Sequence, residues 1–159
     1  MGYNGNIGKS AYMETIGVNA PQNIIPAGGA LPITRNRINN TRIENECDCD
    51  RDEFKHFINH HTGTEQIQLL KKGLYSVSIV VNGTGTAPMV WGITDNEGNI
   101  YNITNDLAAG AVVGTAIVRS AEGRTTLRIV NNSGAPITLP AYTDPSFPQA
   151  SIAVTFLGK

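Results

Sequence analysis

The sequence predicts an all-β chain folded as an antiparallel sandwich or barrel. From Glu65 onward, apolar segments of about five to nine residues, a usual strand length, alternate with clusters of Gly, Asn and Pro. Within Ile67 to Val81, Ile-Gln-Leu-Leu reads as one strand and Lys-Lys-Gly as a turn. In the strand that follows, Tyr75, Val77, Ile79 and Val81 share one face, and Leu74, Ser76, Ser78 and Val80 share the other. That period of two marks a strand with one buried face. The 17 Gly and 8 Pro in 159 residues supply the turns. No helical crossover separates the segments, so neighbouring strands pair antiparallel.

The elements follow in order. Residues 1 to 11 are rich in Gly and Asn and poor in apolar anchors, and they read as a flexible arm that orders on a partner. The domain then occupies residues 12 to 159. Ala11 to Val18 reads as a first strand. Pro21, Pro26 and Gly28-Gly29 make a loop around a short extended piece at Asn23 to Ile25. Ala30 to Thr34 and Thr41 to Glu44 read as short strands flanking a polar Arg35 to Asn40 loop. Asn45 to His61 suits a short helix, with Asp52, His56 and His60 at i, i+4, i+8, or a strand over Lys55 to Asn59. Strands are expected at Glu65 to Leu70, Leu74 to Asn82, Ala87 to Thr94, Asn99 to Thr104, Gly110 to Arg119, Thr125 to Asn131, Ile137 to Leu139 and Ala150 to Leu157. The turn signals between them include Asn82-Gly83, Asn96-Glu97-Gly98 and Asn132-Ser133-Gly134.

Net charge is −1, which gives no electrostatic basis for binding nucleic acid or an anionic membrane. There is no apolar run long enough for a transmembrane helix. The N-terminal residues lack the apolar core of a secretory signal. Four Asn-x-Ser/Thr sequons, beginning at Asn39, Asn82, Asn102 and Asn131, read as turns rich in Asn.

Three segments carry a resemblance: Ile67 to Ser78 with its Gly-Leu-Tyr at 73 to 75, Thr126 to Leu139 (TLRIVNNSGAPITL), and Ala150 to Gly158 (ASIAVTFLG). In order and spacing they resemble the C1q/TNF-like jelly roll, and in particular its bacterial and phage branch of spore-surface glycoprotein heads and trimeric phage fibre or decoration proteins. The segment Asn23 to Ile33 (NIIPAGGALPI) is similar to the one that precedes the core in that branch. The resemblance implies a two-sheet jelly-roll sandwich, a homotrimer, and a non-enzymatic structural role. It implies a virion surface or, alternatively, a bacterial or spore surface where an adhesin head binds a glycan. No Gly-X-Y stalk precedes the head, so particle anchoring falls to the arm, through Tyr3, Asn4, Ile7 and Lys9.

Association also has a basis in the residues. The last strand places Ile152, Val154 and Phe156 on one face and Ala153, Thr155 and Leu157 on the other, without charge on either. Gly110 to Val118 is apolar on both faces. A solvated sheet face would alternate with polar residues, so the expected trimer interface comprises Val112, Ile117, Ala153, Thr155 and Leu157.

The cluster of ligand types lies in the acidic segment from 44 to 61. Six of the chain's thirteen Asp and Glu residues fall between Glu44 and Glu53. Cys47, Cys49, His56 and His60 are chemically suited to zinc, and the alternating acids to calcium. The plain alternative is a solvated acidic loop, and a fourth is a disulfide between subunits, because a Cys47–Cys49 bridge is geometrically poor. No Gly-x-Ser-x-Gly elbow occurs. Glu14, Asp95, Glu97, Asp106 and Asp144 are the carboxylates from which a glycosidase pair would have to come, and all but Glu14 fall in expected turns. Trp91 shares a face with Met89 and Ile93 and reads as core, whereas Tyr101 and Tyr142 border turns and suit recognition.

Overall fold

The computed structural model describes residues 9–39, 57–61, 63–144 and 146–159. Among the described residues there are twelve strands and no helix. They are β1 (Ser10–Ile16), β2 (Ile24–Ile25), β3 (Arg35–Asn39), β4 (Ile58–Asn59), β5 (Ile67–Leu69), β6 (Gly73–Thr84), β7 (Met89–Asp95), β8 (Ile100–Asn105), β9 (Ala109–Ser120), β10 (Thr125–Asn131), β11 (Ile137–Thr138) and β12 (Pro148–Gly158). They form a seven-stranded sheet, ordered β2-β11-β6-β12-β1-β3 with β9 on the free side of β6, and a five-stranded sheet, β4-β5-β10-β7-β8. Every pairing is antiparallel. The long pairs are nested: β1 with β12, β5 with β10, β6 with β9, and β7 with β8. A four-rung antiparallel ribbon rolled into two sheets is the jelly roll.

The core lies between the sheets and follows the alternation of each strand. Tyr75, Val77, Ile79 and Val81 of β6 and Ile152 and Val154 of β12 meet Met89, Trp91 and Ile93 of β7, Leu127 and Ile129 of β10, and Ile67 and Leu69 of β5. All are buried. Trp91 is the largest of these side chains, a core residue as its neighbours Met89 and Ile93 imply.

Two local expectations need correction, and the Lys-Lys-Gly turn proves to join strands of different sheets, β5 in the five-stranded sheet and β6 in the other. The turn carries the chain across the sandwich. The buried Tyr75 phenol holds it there, donating to the Lys71 carbonyl at 2.7 Å and accepting from the Lys71 amide at 3.2 Å. The Arg35 to Asn40 loop is instead strand β3, which pairs with β1 as the sheet's edge. Its polar sequence suits an edge, where charged side chains discourage further pairing. Ala30 to Thr34 is extended but changes sheets. Leu31 bonds to Ile129 of β10, and Thr34 to Glu14 of β1, with Leu31 and Ile33 buried between.

Burial pushes the Tyr75 phenol up from its ordinary value of 10.0 to about 12, with the hydrogen bond donated by the Lys71 amide working the other way. A raised folded-state pKa gives stability that is complete below pH 10 and is lost as pH rises from about 10 towards 12. Tyr75→Phe is expected to lower stability by about 1–3 kcal/mol at neutral pH. It should also remove this alkaline loss, as read from urea melts at a series of pH values.

Candidate interaction face and edge

The outer face of the seven-stranded sheet is a feature that core packing does not explain. Register places Val113, Val80, Ser151 and Glu14 in one row across β9, β6, β12 and β1. Thr115, Ser78, Ala153 and Tyr12 form the next row, and Ile117, Ser76, Thr155 and Ser10 the third. Over β9, β6 and β12 these rows hold no charged residue. They combine small side chains with exposed apolar ones, Val113 at 61% and Ile117 at 51% exposed, and beyond them stand Leu157, 51% exposed, and the exposed Arg119 opposite Leu74. The Ser78 and Thr115 hydroxyls bond to each other at 2.8 Å, which uses polar groups within the face. A partly apolar sheet face with three rows free of charge over three strands is a surface for burial against another protein.

Four of the five residues expected at an interface lie on this face: Ile117, Ala153, Thr155 and Leu157. Val112 does not. It is fully buried between the sheets. Val112 and Ile117 have opposite parity on one strand, so one of them had to point inward. An apolar run on both faces cannot say which parity is inside.

Charge appears at the β1/β3 edge of the same sheet. The buried Glu14 carboxylate accepts from Arg35 Nε at 3.1 Å, Arg35 Nη2 at 2.7 Å and Arg37 Nε at 2.7 Å, all at Oε1. Burial works to raise this carboxyl, but the hydrogen bonds and charges of Arg35 and Arg37 outweigh it and hold it below the ordinary carboxylate range. The cluster went unseen in the sequence because residues 35 to 40 read as a loop. Treating them as a strand would have placed two arginines of one parity beside β1.

The remaining candidates separate. Tyr3, Asn4, Ile7, Cys47, Cys49 and His56 lie outside the described residues. Lys9 is not part of a free arm. It is buried, its carbonyl accepts the Phe156 amide at 2.9 Å, and its ammonium lies 4.7 Å from the Phe57 ring centre. The sheet therefore starts at Ser10, before the expected domain boundary, because Lys9 and Ser10 run alongside the apolar end of β12. His60 is buried with both ring nitrogens engaged, Nε2 with the Thr64 carbonyl at 2.8 Å and Nδ1 with the Asn36 amide oxygen at 2.5 Å. Burial pushes the ring below the ordinary imidazole value, against the pull of the Thr64 carbonyl. As placed, His60 ties itself and Thr64 to Asn36 of β3, and binding a metal would require breaking one of these bonds. Among the described residues no group of three His, Cys, Asp or Glu is arranged to hold a metal.

Three of the candidate carboxylates have local employment. Asp95 caps its turn, with Oδ1 accepting the Glu97 and Asn99 amides and Oδ2 the Asn99 side chain. Asp144 does the same for Ser146, and Glu14 is held by its arginines. Tyr101 packs half-buried against the core. Tyr142 is exposed and contacts the exposed Phe147 edge-to-face. Among the described residues no helix is long and apolar enough to cross a membrane.

No family model matches the chain, and no curated protein matches it. Among solved structures it is similar to the globular domain of zebrafish complement 1qA protein, at TM-score 0.49 and 8% identity over 94% of this chain and 97% of that one. It is similar to murine APRIL, at TM-score 0.49 and 9% identity over 92% and 98%. It is also similar to CBM35 from Cellvibrio japonicus Abf62, at TM-score 0.42 and 11% identity over 92% of each chain. The jelly roll itself rests on the nested strand pairing of this chain, two antiparallel sheets packed around one core.

Proposed function

We propose that this chain is a non-enzymatic structural head domain. Three copies associate through the outer face of β9, β6 and β12, and the assembly decorates a larger particle, a phage capsid or fibre. The observation that carries the reading is the partly apolar face of Val80, Val113, Ile117, Thr155 and Leu157, with one charge, Arg119, at its β9 end. It exposes apolar surface that a free monomer would have to keep in water. Cyclic closure of three copies covers that surface on every subunit at once. The resemblance of the Gly-Leu-Tyr and C-terminal segments to trimeric decoration heads supports the same reading. The engagement of Glu14, Asp95 and Asp144 in local bonds supports a role without catalysis.

Attachment falls to the residues ahead of Lys9. A chain lacking residues 1 to 8 is expected to keep the wild-type thermal midpoint and subunit count while losing co-sedimentation with the particle. Co-sedimentation of the truncated chain at the wild-type level would overturn the anchoring role. A second reading, an adhesin head on a bacterial or spore surface, is favoured by one observation, the solvent-exposed aromatic pair Tyr142 and Phe147.

A further inference from the structure

The turn after β1 and the loop between β11 and β12 enclose a cleft of about 210 Å³. Its floor is Gln149, which is buried. The Gln149 amide accepts the Val18 N–H at 3.0 Å and donates to the Val18 and Pro140 carbonyls at 2.7 Å each. One side chain thus clasps the β1 turn and the loop after β11, so the shape of the cleft is set by the fold before anything binds. The rim is aromatic. Tyr142 is 38% and Phe147 55% exposed, with ring centres 5.9 Å apart and planes at 86°. Two aromatic rings held in mutual contact yet left in water are a recognition feature, since their apolar area is unused by the core.

Polar groups stand beside the rings. Asp144 uses Oδ1 to accept the Ser146 N–H at 2.9 Å and its hydroxyl at 2.7 Å. Those bonds fix the carboxylate, hold its pKa below the ordinary range, and leave Oδ2 as a directed acceptor. Asn19 makes a long 3.4 Å bond from its amide to the Gly17 carbonyl, so it retains capacity both to donate and to accept. A ring face, a fixed carboxylate acceptor and an adaptable amide match the two sides of a pyranose: an apolar C–H face and an edge of hydroxyls that donate and accept. The cleft is smaller than the roughly 300–1,000 Å³ of sites for larger ligands, which suits a single ring. A cage for a quaternary ammonium is the competing chemistry, since it too uses aromatics beside an acid. Here the edge of one ring covers the face of the other, so the two faces do not open on a common point.

We propose that this cleft is a carbohydrate subsite that takes one pyranose residue of a neutral glycan, stacked on the one ring face that the Tyr142–Phe147 pair leaves open, the other ring holding that face in place, and bonded through its hydroxyls to Asp144 and Asn19. The site does not depend on the association of subunits. Phe147 precedes Thr155 by eight residues, roughly 25 Å along an extended strand, so loss of either property leaves the other measurable.

The test titrates the full chain with glucose, galactose, mannose and N-acetylglucosamine, using saturation-transfer NMR and calorimetry. At least one sugar is expected to bind with Kd of about 1 mM, its ring-face protons receiving saturation. Tyr142→Ala and Phe147→Ala should each weaken binding about tenfold or more, and Asp144→Asn should weaken it less. All three sites are exposed, so unchanged thermal midpoints establish that the variants remain folded. No transfer to any of the four sugars overturns the proposal. So does sugar binding that survives both aromatic substitutions, or tetramethylammonium binding more tightly than every sugar.

Discussion

Gly73→Ala is expected to destabilise the domain by about 2–6 kcal/mol, a large share of the roughly 5–15 kcal/mol that holds such a fold together. Two independent causes add. Gly73 has φ +146°, a conformation that side chains rarely adopt, at a cost of about 1–3 kcal/mol. A Cβ there would also lie 2.5 Å from the Gly158 carbonyl oxygen and 2.6 Å from Phe156 Cε1. The backbone oxygen cannot step aside without disturbing the β6–β12 pairing, so overpacking adds about 1–3 kcal/mol. Chemical denaturation of the variant beside wild type measures the sum. A loss below about 0.5 kcal/mol, the usual range for surface changes, would mean that the chain crossing at Gly73 is not as close as described.

Ile117→Glu is expected to convert the assembled protein to monomers while leaving each domain folded. Ile117 is half-exposed in the monomer and sits opposite Ser76 on the outer face, so its replacement opens no cavity in the core. In the assembly a carboxylate there would be buried in an apolar face, where Arg119, two residues further along the same face of β9, would offset its charge only in part. A buried charge without a full partner costs up to about 3–5 kcal/mol, and symmetry repeats that cost in every subunit. The thermal midpoint at low protein concentration should stay close to that of the dissociated wild-type chain. If the variant instead fails to fold, Ser78→Arg offers the same insult on the central strand, beside Thr115 and Ala153.

The fold was legible wherever alternation was strong. The odd-numbered face of β6, with Tyr75, Val77, Ile79 and Val81, is the core face, as its apolar character indicated. The even-numbered face of β12, with Ile152 and Val154, behaves the same way. What alternation does not encode is which sheet a strand joins. The Lys-Lys-Gly turn looks local, yet it spans the sandwich, because β5 pairs with β4 and β10 in one sheet and β6 with β9 and β12 in the other. Strand β3 escaped notice because its partners are ionic: Arg35 and Arg37 earn their place through Glu14, not through apolar burial. Parity on β9 was ambiguous for the opposite reason, since both faces are apolar and the sequence cannot mark Val112 as core and Ile117 as surface. Of the recognition features, Tyr142 was visible from its place at a turn. Its contact with Phe147 lies within one loop, and the Gln149 floor depends on bonds from β12 to Val18, beyond the end of β1, which no local pattern reveals.

The claim on which the functional reading depends is that the outer face of β9, β6 and β12 is covered by other copies of the chain. A native mass spectrum of the full chain at micromolar concentration, with Ile117→Glu alongside, tests it most directly. The predicted result is three chains for wild type and one for the variant. A single-chain mass for wild type, or three chains for both proteins, would contradict it.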